Sequence, residues 1–86
     1  MSRDRTRLIY DVLQAVEKHH ILGHIQFDVR TSHTHVWTLL KQLEAKDVVK
    51  IEEIGQHPRY NIRLTSIGKR LLEHLHEVFK ILGDEV

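Results

Sequence analysis

The stretch Thr31–Leu43, TSHTHVWTLLKQL, sets the terms for the rest of this chain. At about 3.6 residues per turn, Val36, Leu39, Leu40 and Leu43 fall together as a core-facing stripe. Thr34, Thr38 and Lys41 fall on the opposite side, with His35 and Gln42 on one flank. Thr31 or Ser32 supplies an N-cap, because a short side-chain oxygen there can accept from an otherwise unpaired backbone N–H. No Asp or Glu occurs from Val29 to Leu43. Taken alone, this describes an ordinary amphipathic helix. What the helix is for depends on its neighbours.

Before it, residues 4–19 have helical spacing, with Leu8, Ile9, Val12, Leu13 and Val16 on one stripe and Asp4 as cap. Tyr10 lies off that stripe, beside Arg7 and Gln14, which makes it an exposed tyrosine and a candidate subunit contact. Residues 21–29, ILGHIQFDV, are ambiguous. Leu22, Ile25 and Val29 fit a helix, whereas Ile25, Phe27 and Val29 alternate as a strand would. A short helix at about 22–28 is the better reading, followed by a turn and the helix 31–46. Asp47 stands where Gly commonly ends a helix.

After it, residues 48–54 and 60–65 read as two strands. Tyr60, Ile62 and Leu64 alternate with Asn61, Arg63 and Thr65. Between them GQHPR holds Gly55 and Pro58 where a chain reverses, so a hairpin with a basic tip is expected. Residues 66–82 form a last helix capped by Thr65. There Leu71, Leu75, Val78 and Leu82 recur, and Ile67, Leu72 and Phe79 widen the stripe to about 140°, more than one packing partner covers. Part of that stripe is expected to meet a second copy, with Tyr10, Leu75, Val78, Phe79 and Leu82 as candidate dimer contacts.

An 86-residue chain is expected to make one domain, burying roughly 60–65% of the surface it exposes unfolded. With no cysteine, disulfides and thiolate metal sites are excluded. Residues 1–10 are charged and no apolar h-region follows, and no run reaches the length of a membrane span. A cytoplasmic protein without membrane contact is therefore expected. The formal net charge is only +1, but it is sorted. Arg3, Arg5 and Arg7 open the chain; residues 54–72 carry Arg59, Arg63, Lys69 and Arg70 with no acid; residues 73–86 are acidic. Such sorting can give one positive surface.

The order helix, helix, helix, hairpin, helix is the winged helix-turn-helix plan, and two passages resemble that family. VWTLLKQLEAKDVVKIEE is similar to V-x-x-x-L-x-x-L-E-x-x-x-L-[VI], through Val36, Leu40, Leu43, Glu44, Val48 and Val49. YNIRLTSIGKRLLEHL resembles Y-x-L-T-x-x-G-x-x-L-L through Tyr60, Leu64, Thr65, Gly68, Leu71 and Leu72, with two extra residues before Leu64. The likeness spans about residues 30–76 and takes in MarR-like proteins and small DNA-binding proteins of archaea and their viruses. It implies a mainly α fold with a small β-hairpin (α-α-α-β-β-α), with the helix-turn-helix at about 22–46, the wing at 48–65 and the C-terminal helix at 66–82. The chain departs at 22–30, where that family carries an Ala-containing helix and a Gly turn; here Gln26 and Arg30 stand near those positions.

The resemblance also implies a recognition helix at 32–46 and double-stranded DNA as partner. An apolar back, a short polar front and no carboxylate suit a major groove. Ser32, His33, Thr34, His35, Thr38, Lys41 and Gln42 are the candidate contacts. Thr methyls can meet thymine, Gln42 can pair with adenine, and Lys41 suits phosphate. His57 and Arg59 at the wing tip are candidates for the minor groove or backbone. Arg3, Arg5, Arg7 and Arg30 are candidate phosphate contacts, the first three as a mobile arm. Trp37 is expected to pack on the second helix or the hairpin.

Eight histidines raise a metal reading, but His33/His35 and His74/His76 point to different sides of a helix, and no HExxH or Cys–His pattern occurs. No metal or cofactor is expected. Protonation of His33, His35 and His57 would strengthen DNA binding below about pH 6.5. No nucleophile has an evident base, so catalysis is not expected. The expected function is a homodimeric, sequence-specific transcriptional regulator. The alternatives are a winged helix used for protein contact and a repressor responsive to ligand or metal.

Overall fold

The structure is a computed structural model that describes residues 4–55 and 59–83. Its elements run α1 (Arg5–Lys18), α2 (Leu22–Val29), α3 (His33–Ala45), β1 (Val49–Glu53), β2 (Tyr60–Leu64) and α4 (Ser66–Ile81). The expected order is met, with ends moved by one or two residues.

α1, α3 and α4 begin where a side-chain oxygen can satisfy an orphan donor, whereas α2 follows Ile21 without a side-chain cap. Asp4 Oδ1 accepts from Arg7 N at 2.8 Å, and Thr65 Oγ1 accepts from Gly68 N at 3.0 Å. Of the two candidate caps for α3, Ser32 is the one used: its Oγ accepts from His35 N at 3.1 Å. The ambiguous segment is a helix, as preferred, and Ile25, Phe27 and Val29 are helical. Ile21 makes one antiparallel bridge to Asn61, and the helix starts directly after it.

Two turns use the left-handed region without glycine. Arg30 ends α2 at φ 59°, ψ 42°, at the place where the regulators it resembles carry a Gly turn. Asp47 ends α3 at φ 61°. Here Val48 N donates to Leu43 O (2.9 Å) and Asp47 N to Glu44 O (3.0 Å), the paired closure of a Schellman turn.

The strands pair antiparallel in the register Val49↔Leu64, Ile51↔Ile62 and Glu53↔Tyr60. The alternation puts Val49, Ile51, Ile62 and Leu64 toward the helices. Lys50, Glu52 and Arg63 lie on the other face, where Arg63 is ion-paired to Glu52. The core joins Leu8, Val12, Leu13 and Val16 of α1, Ile25 and Val29 of α2, and Val36, Leu39, Leu40 and Leu43 of α3. To these it adds Val48, Val49 and Ile62 of the hairpin and Leu72 and Phe79 of α4. Burying each such aliphatic side chain stabilises the fold by about 1.5–3 kcal/mol before entropy is charged against it.

Tyr10 departs from expectation. It is 0% exposed, so it is a core residue of its own chain and has no outward surface for a subunit contact. Its ring lies 5.0 Å from that of Phe79, and its hydroxyl meets His76 Nδ1 at 2.8 Å and accepts from Gln14 Nε2 at 3.1 Å. These partners let a phenol sit inside without an unmet polar atom. Burial pushes the Tyr10 phenol up, partly opposed by nearby Arg7. Phe79 is likewise buried in its own chain. Of the remaining dimer candidates, Leu75 is half-buried, while Val78 and Leu82 are exposed.

Candidate nucleic-acid interface

The four buried residues of α3, Val36, Leu39, Leu40 and Leu43, anchor it against α2 and β1. That anchoring decides what the other side presents. Ser32, His33, Thr34, His35, Thr38, Lys41 and Gln42 are all exposed, and Thr34, Thr38 and Lys41 lie opposite the buried stripe. The start of α3 is tied to α2 by Gln26, whose Nε2 donates to the His33 carbonyl at 3.1 Å. Gln26 thus has a structural task in the turn.

The two flanks differ. On the hairpin side Trp37 packs on Tyr60, ring centroids 4.9 Å apart, as expected for a tryptophan against the wing. Lys41 Nζ lies 5.8 Å from the Trp37 ring centroid and 2.9 Å from Glu44 Oε1. Glu44 is the first carboxylate beyond the acid-free run, and it already neutralises part of the Lys41 charge. This exposed pair is worth little energy and is readily exchanged for a stronger anion.

On the other flank Arg5 Nη2 donates to Gln42 Oε1 at 3.1 Å. Together with Leu8, His35, Thr38 and Leu39 they line a groove of about 220 Å³. The contact joins residues 37 apart, and no local pattern could have revealed it. It assigns Arg5 to the α3 surface.

The other arginines do not form one arm. Arg5 and Arg7 belong to α1, which corrects the expectation of a mobile segment at these two positions: the Asp4 cap starts the helix ahead of them. Arg7 pairs with Asp11 at 3.3 Å, and its guanidinium carbon lies 5.0 Å from the Phe79 ring centroid, so it faces α4. Arg30 lines a concavity between α1 and α2 with Asp11, Glu17 and Asp28, apart from the α3 groove. Arg59 is exposed at the base of the hairpin turn, its carbonyl accepting from Ile54 N at 2.7 Å. Arg3 and His57 lie outside the described residues.

His19 Nε2 is 3.6 Å from Asp28 Oδ2, and its ring is 6.0 Å from that of His24. Among the described residues no three His, Cys, Asp or Glu side chains are grouped to hold a metal ion. No helix of the described residues is long and apolar enough to cross a membrane.

No family model and no curated protein matches the sequence. Solved structures do resemble the fold. Sso10a-2, a DNA-binding protein from Sulfolobus solfataricus, superposes with a TM-score of 0.81 at 20% identity, over 94% of this chain and 83% of that one. AF1382 from Archaeoglobus fulgidus gives 0.79 at 18% identity, over 95% of this chain and 93% of that one. The MepR–DNA complex of S. aureus gives 0.74 at 20% identity, over 96% of this chain but 61% of MepR.

The chain is a winged helix.

In that frame α2 and α3 are the helix-turn-helix, β1 and β2 the wing, and α4 the helix that closes the domain behind them. Trp37 of α3 meets the wing at Tyr60, and Arg59, next to Tyr60 in sequence, is exposed.

Proposed function

We propose that this chain binds duplex DNA in a sequence-specific manner and serves as a transcriptional regulator. α3 lies in the major groove, and the 55–59 turn lies on the minor groove or the backbone. One observation carries the reading: the exposed surface of α3, from Ser32 to Gln42, has no carboxylate and is flanked by Arg5 on one side and the wing on the other. Two of the similar folds, Sso10a-2 and MepR, are DNA-binding proteins by name or by complex, which supports the same use here. Thr34, Thr38, His35 and Gln42 meet base edges; Lys41, Arg5 and Arg59 meet phosphates or the minor groove.

The protein acts as a homodimer. Val78 and Leu82 expose apolar surface on α4, and a two-fold pair would set the recognition helices about 34 Å apart, in successive major grooves.

Selection of bound sequences from a random duplex pool, followed by anisotropy titrations at several salt concentrations, tests this. Recovery of a two-fold symmetric site is expected. Lys41→Ala and Arg59→Ala should weaken all sequences and each flatten the salt slope by about 1. Thr38→Ala and Gln42→Ala should change preference, by about 1–3 kcal/mol per base contact. Absence of salt-sensitive binding at low ionic strength would instead favour the protein-contact reading, to which the near-neutral charge and the Lys41–Glu44 pair lend support.

A further inference from the structure

Arg5 and Gln42 meet across the groove between α1 and α3, and the chemistry of that contact decides which end of an amide is left for a partner. Arg5 Nη2 donates to Gln42 Oε1 at 3.1 Å. A guanidinium has donors and no acceptor, so a carboxamide beside it must give it the oxygen. Nε2, the other end of the same planar group, then keeps its hydrogens for a partner outside the chain. Both side chains are exposed, yet their roots are set. Arg5 is the first residue of α1, which the Asp4 cap starts by accepting from Arg7 N at 2.8 Å. Leu8 and Leu39, both buried, line the groove that Arg5 shares with Gln42. His35, Thr38 and Gln42 also line it, and their spacings of 3 and 4 make one row along α3.

We propose that Arg5 is a positioning residue for base recognition: by holding Gln42 Oε1 it leaves residue 42 a donor only, so that Gln42 reads guanine and not adenine. The inference rests on the DNA-binding reading proposed above. It deepens that reading by naming the base that one α3 residue selects and the α1 residue that decides the choice.

The base edges discriminate. In the major groove adenine presents N7 as acceptor and its N6 amine as donor, and a free glutamine matches both, accepting with Oε1 and donating with Nε2. That fit is what the residue type alone suggests for position 42. With Arg5 in place, the adenine amine would have to share Oε1 with a cation, so that two donor groups crowd one oxygen. Guanine presents two acceptors, N7 and O6, and no donor. It asks only for hydrogens, which Nε2 supplies. Cytosine presents its N4 amine, a donor that opposes Nε2. Thymine offers the single acceptor O4 beside a methyl group, and so gains less than guanine. Arg5 acts through Gln42 and does not touch the base. Of the five N–H donors of a guanidinium, one is given to Gln42 and four remain for phosphate, so positioning does not compete with charge.

Selection from a random duplex pool, run on the full chain as parent, Gln42→Ala, Arg5→Ala and Lys41→Ala, tests the proposal. The base read by residue 42 is the one whose preference Gln42→Ala removes. The parent should recover guanine there. Anisotropy on duplexes that differ only at that pair should favour guanine over adenine by about 5- to 150-fold, the range of a two-bond base contact. Arg5→Ala frees the carboxamide to turn, and the preference at the same position should move to adenine. Lys41→Ala also removes a positive charge from this surface, and it should weaken binding while guanine is kept; that separates orientation from charge. Arg5, Lys41 and Gln42 are exposed, and a thermal melt of each variant checks that it remains folded. A parent that recovers any base other than guanine at that position, an Arg5→Ala variant that keeps guanine, or a Gln42→Ala variant with unchanged preferences overturns the proposal and leaves the DNA reading standing. Absence of salt-sensitive binding by the parent at low ionic strength overturns the DNA reading itself, and the proposal with it.

Discussion

Arg30 occupies a backbone conformation that an arginine enters at a cost, and Arg30→Gly should therefore stabilise the protein. At φ 59°, ψ 42° its Cβ crowds the following carbonyl, a penalty of about 1–2 kcal/mol for a non-glycine residue. Glycine removes that penalty but gives the unfolded chain more freedom, which costs about 0.4–1 kcal/mol. The net gain is about 0.5–1 kcal/mol, or about 3–6 °C in Tm for a domain of this size. The substitution also deletes a guanidinium near Asp11, Glu17 and Asp28. An exposed attraction of that kind is worth about 0–1 kcal/mol and could mask the gain. Arg30→Ala is the control, because it deletes the same charge and keeps the Cβ. Urea unfolding of the three proteins should place the glycine variant about 1 kcal/mol above the alanine variant, with unchanged slope. A glycine variant no more stable than the alanine variant would refute the argument. If Arg30 also touches phosphate, both variants lose the same DNA affinity, and stability and binding move in opposite directions in the glycine variant.

Gly68→Ala should destabilise by about 2 kcal/mol or more in urea. Helix propensity favours alanine by about 1 kcal/mol. A Cβ at Gly68, however, would lie 2.1 Å from the Val48 carbonyl oxygen, a backbone atom that cannot turn aside. A midpoint equal to the parent's would contradict the close approach. Tyr10 ties stability to alkaline pH. Its folded phenol ionises above its unfolded value, so its contribution is full below about pH 10 and is lost as pH rises through the higher folded value. Denaturant titrations from pH 9 to 11.5 should show stability falling for the parent and falling less for Tyr10→Phe. A parallel decline would assign the effect elsewhere. Trp37→Ala should loosen the wing without unfolding the core, because the ring rests on Tyr60 at the hairpin. Faster amide exchange in residues 49–64, with little change in α1, is the expected result.

The elements were legible because local chemistry and periodicity agree in them. Asp4, Ser32 and Thr65 begin helices since each can accept a bond from a free N–H nearby. The Thr-x-x-Gly step before α4 reads clearly in the sequence, and the structure gives its cause. Thr65 Oγ1 caps α4 and reaches the Val48 carbonyl at 3.0 Å, and Gly68 lets the same carbonyl press against the first turn. Tyr10 was misplaced by the same reasoning that placed Leu8 and Val12. A helical wheel shows the stripe facing one neighbour, whereas α1 is covered on a second side by α4, and only the tertiary packing of Phe79 and His76 reveals that. The Arg5–Gln42 contact was unreadable for a related reason. Its two ends meet because α1 and α3 share a core, and neither residue carries a local sign of the other.

That contact also bears on the proposed DNA reading of a chain whose net charge is only +1. The outward side of α3 has one lysine, and Glu44 partly neutralises it; the helix by itself would be a weak polyanion ligand. Arg5 adds a permanent charge at the Gln42 end of the groove, and Arg59 adds one at the wing. Apart from Lys41, the positive groups of this reading lie outside α3 in sequence. On the proposed DNA reading, phosphate attraction would act at the two edges of the footprint and would leave Thr34, Thr38 and Gln42 to meet base edges between them. Such a division makes affinity depend on residues far apart in sequence and makes choice of sequence depend on one helix. It follows that Arg5→Ala should weaken DNA binding through the salt-dependent part while releasing Gln42 to take a new orientation. It is the one charge substitution on this surface expected to alter strength and base preference together.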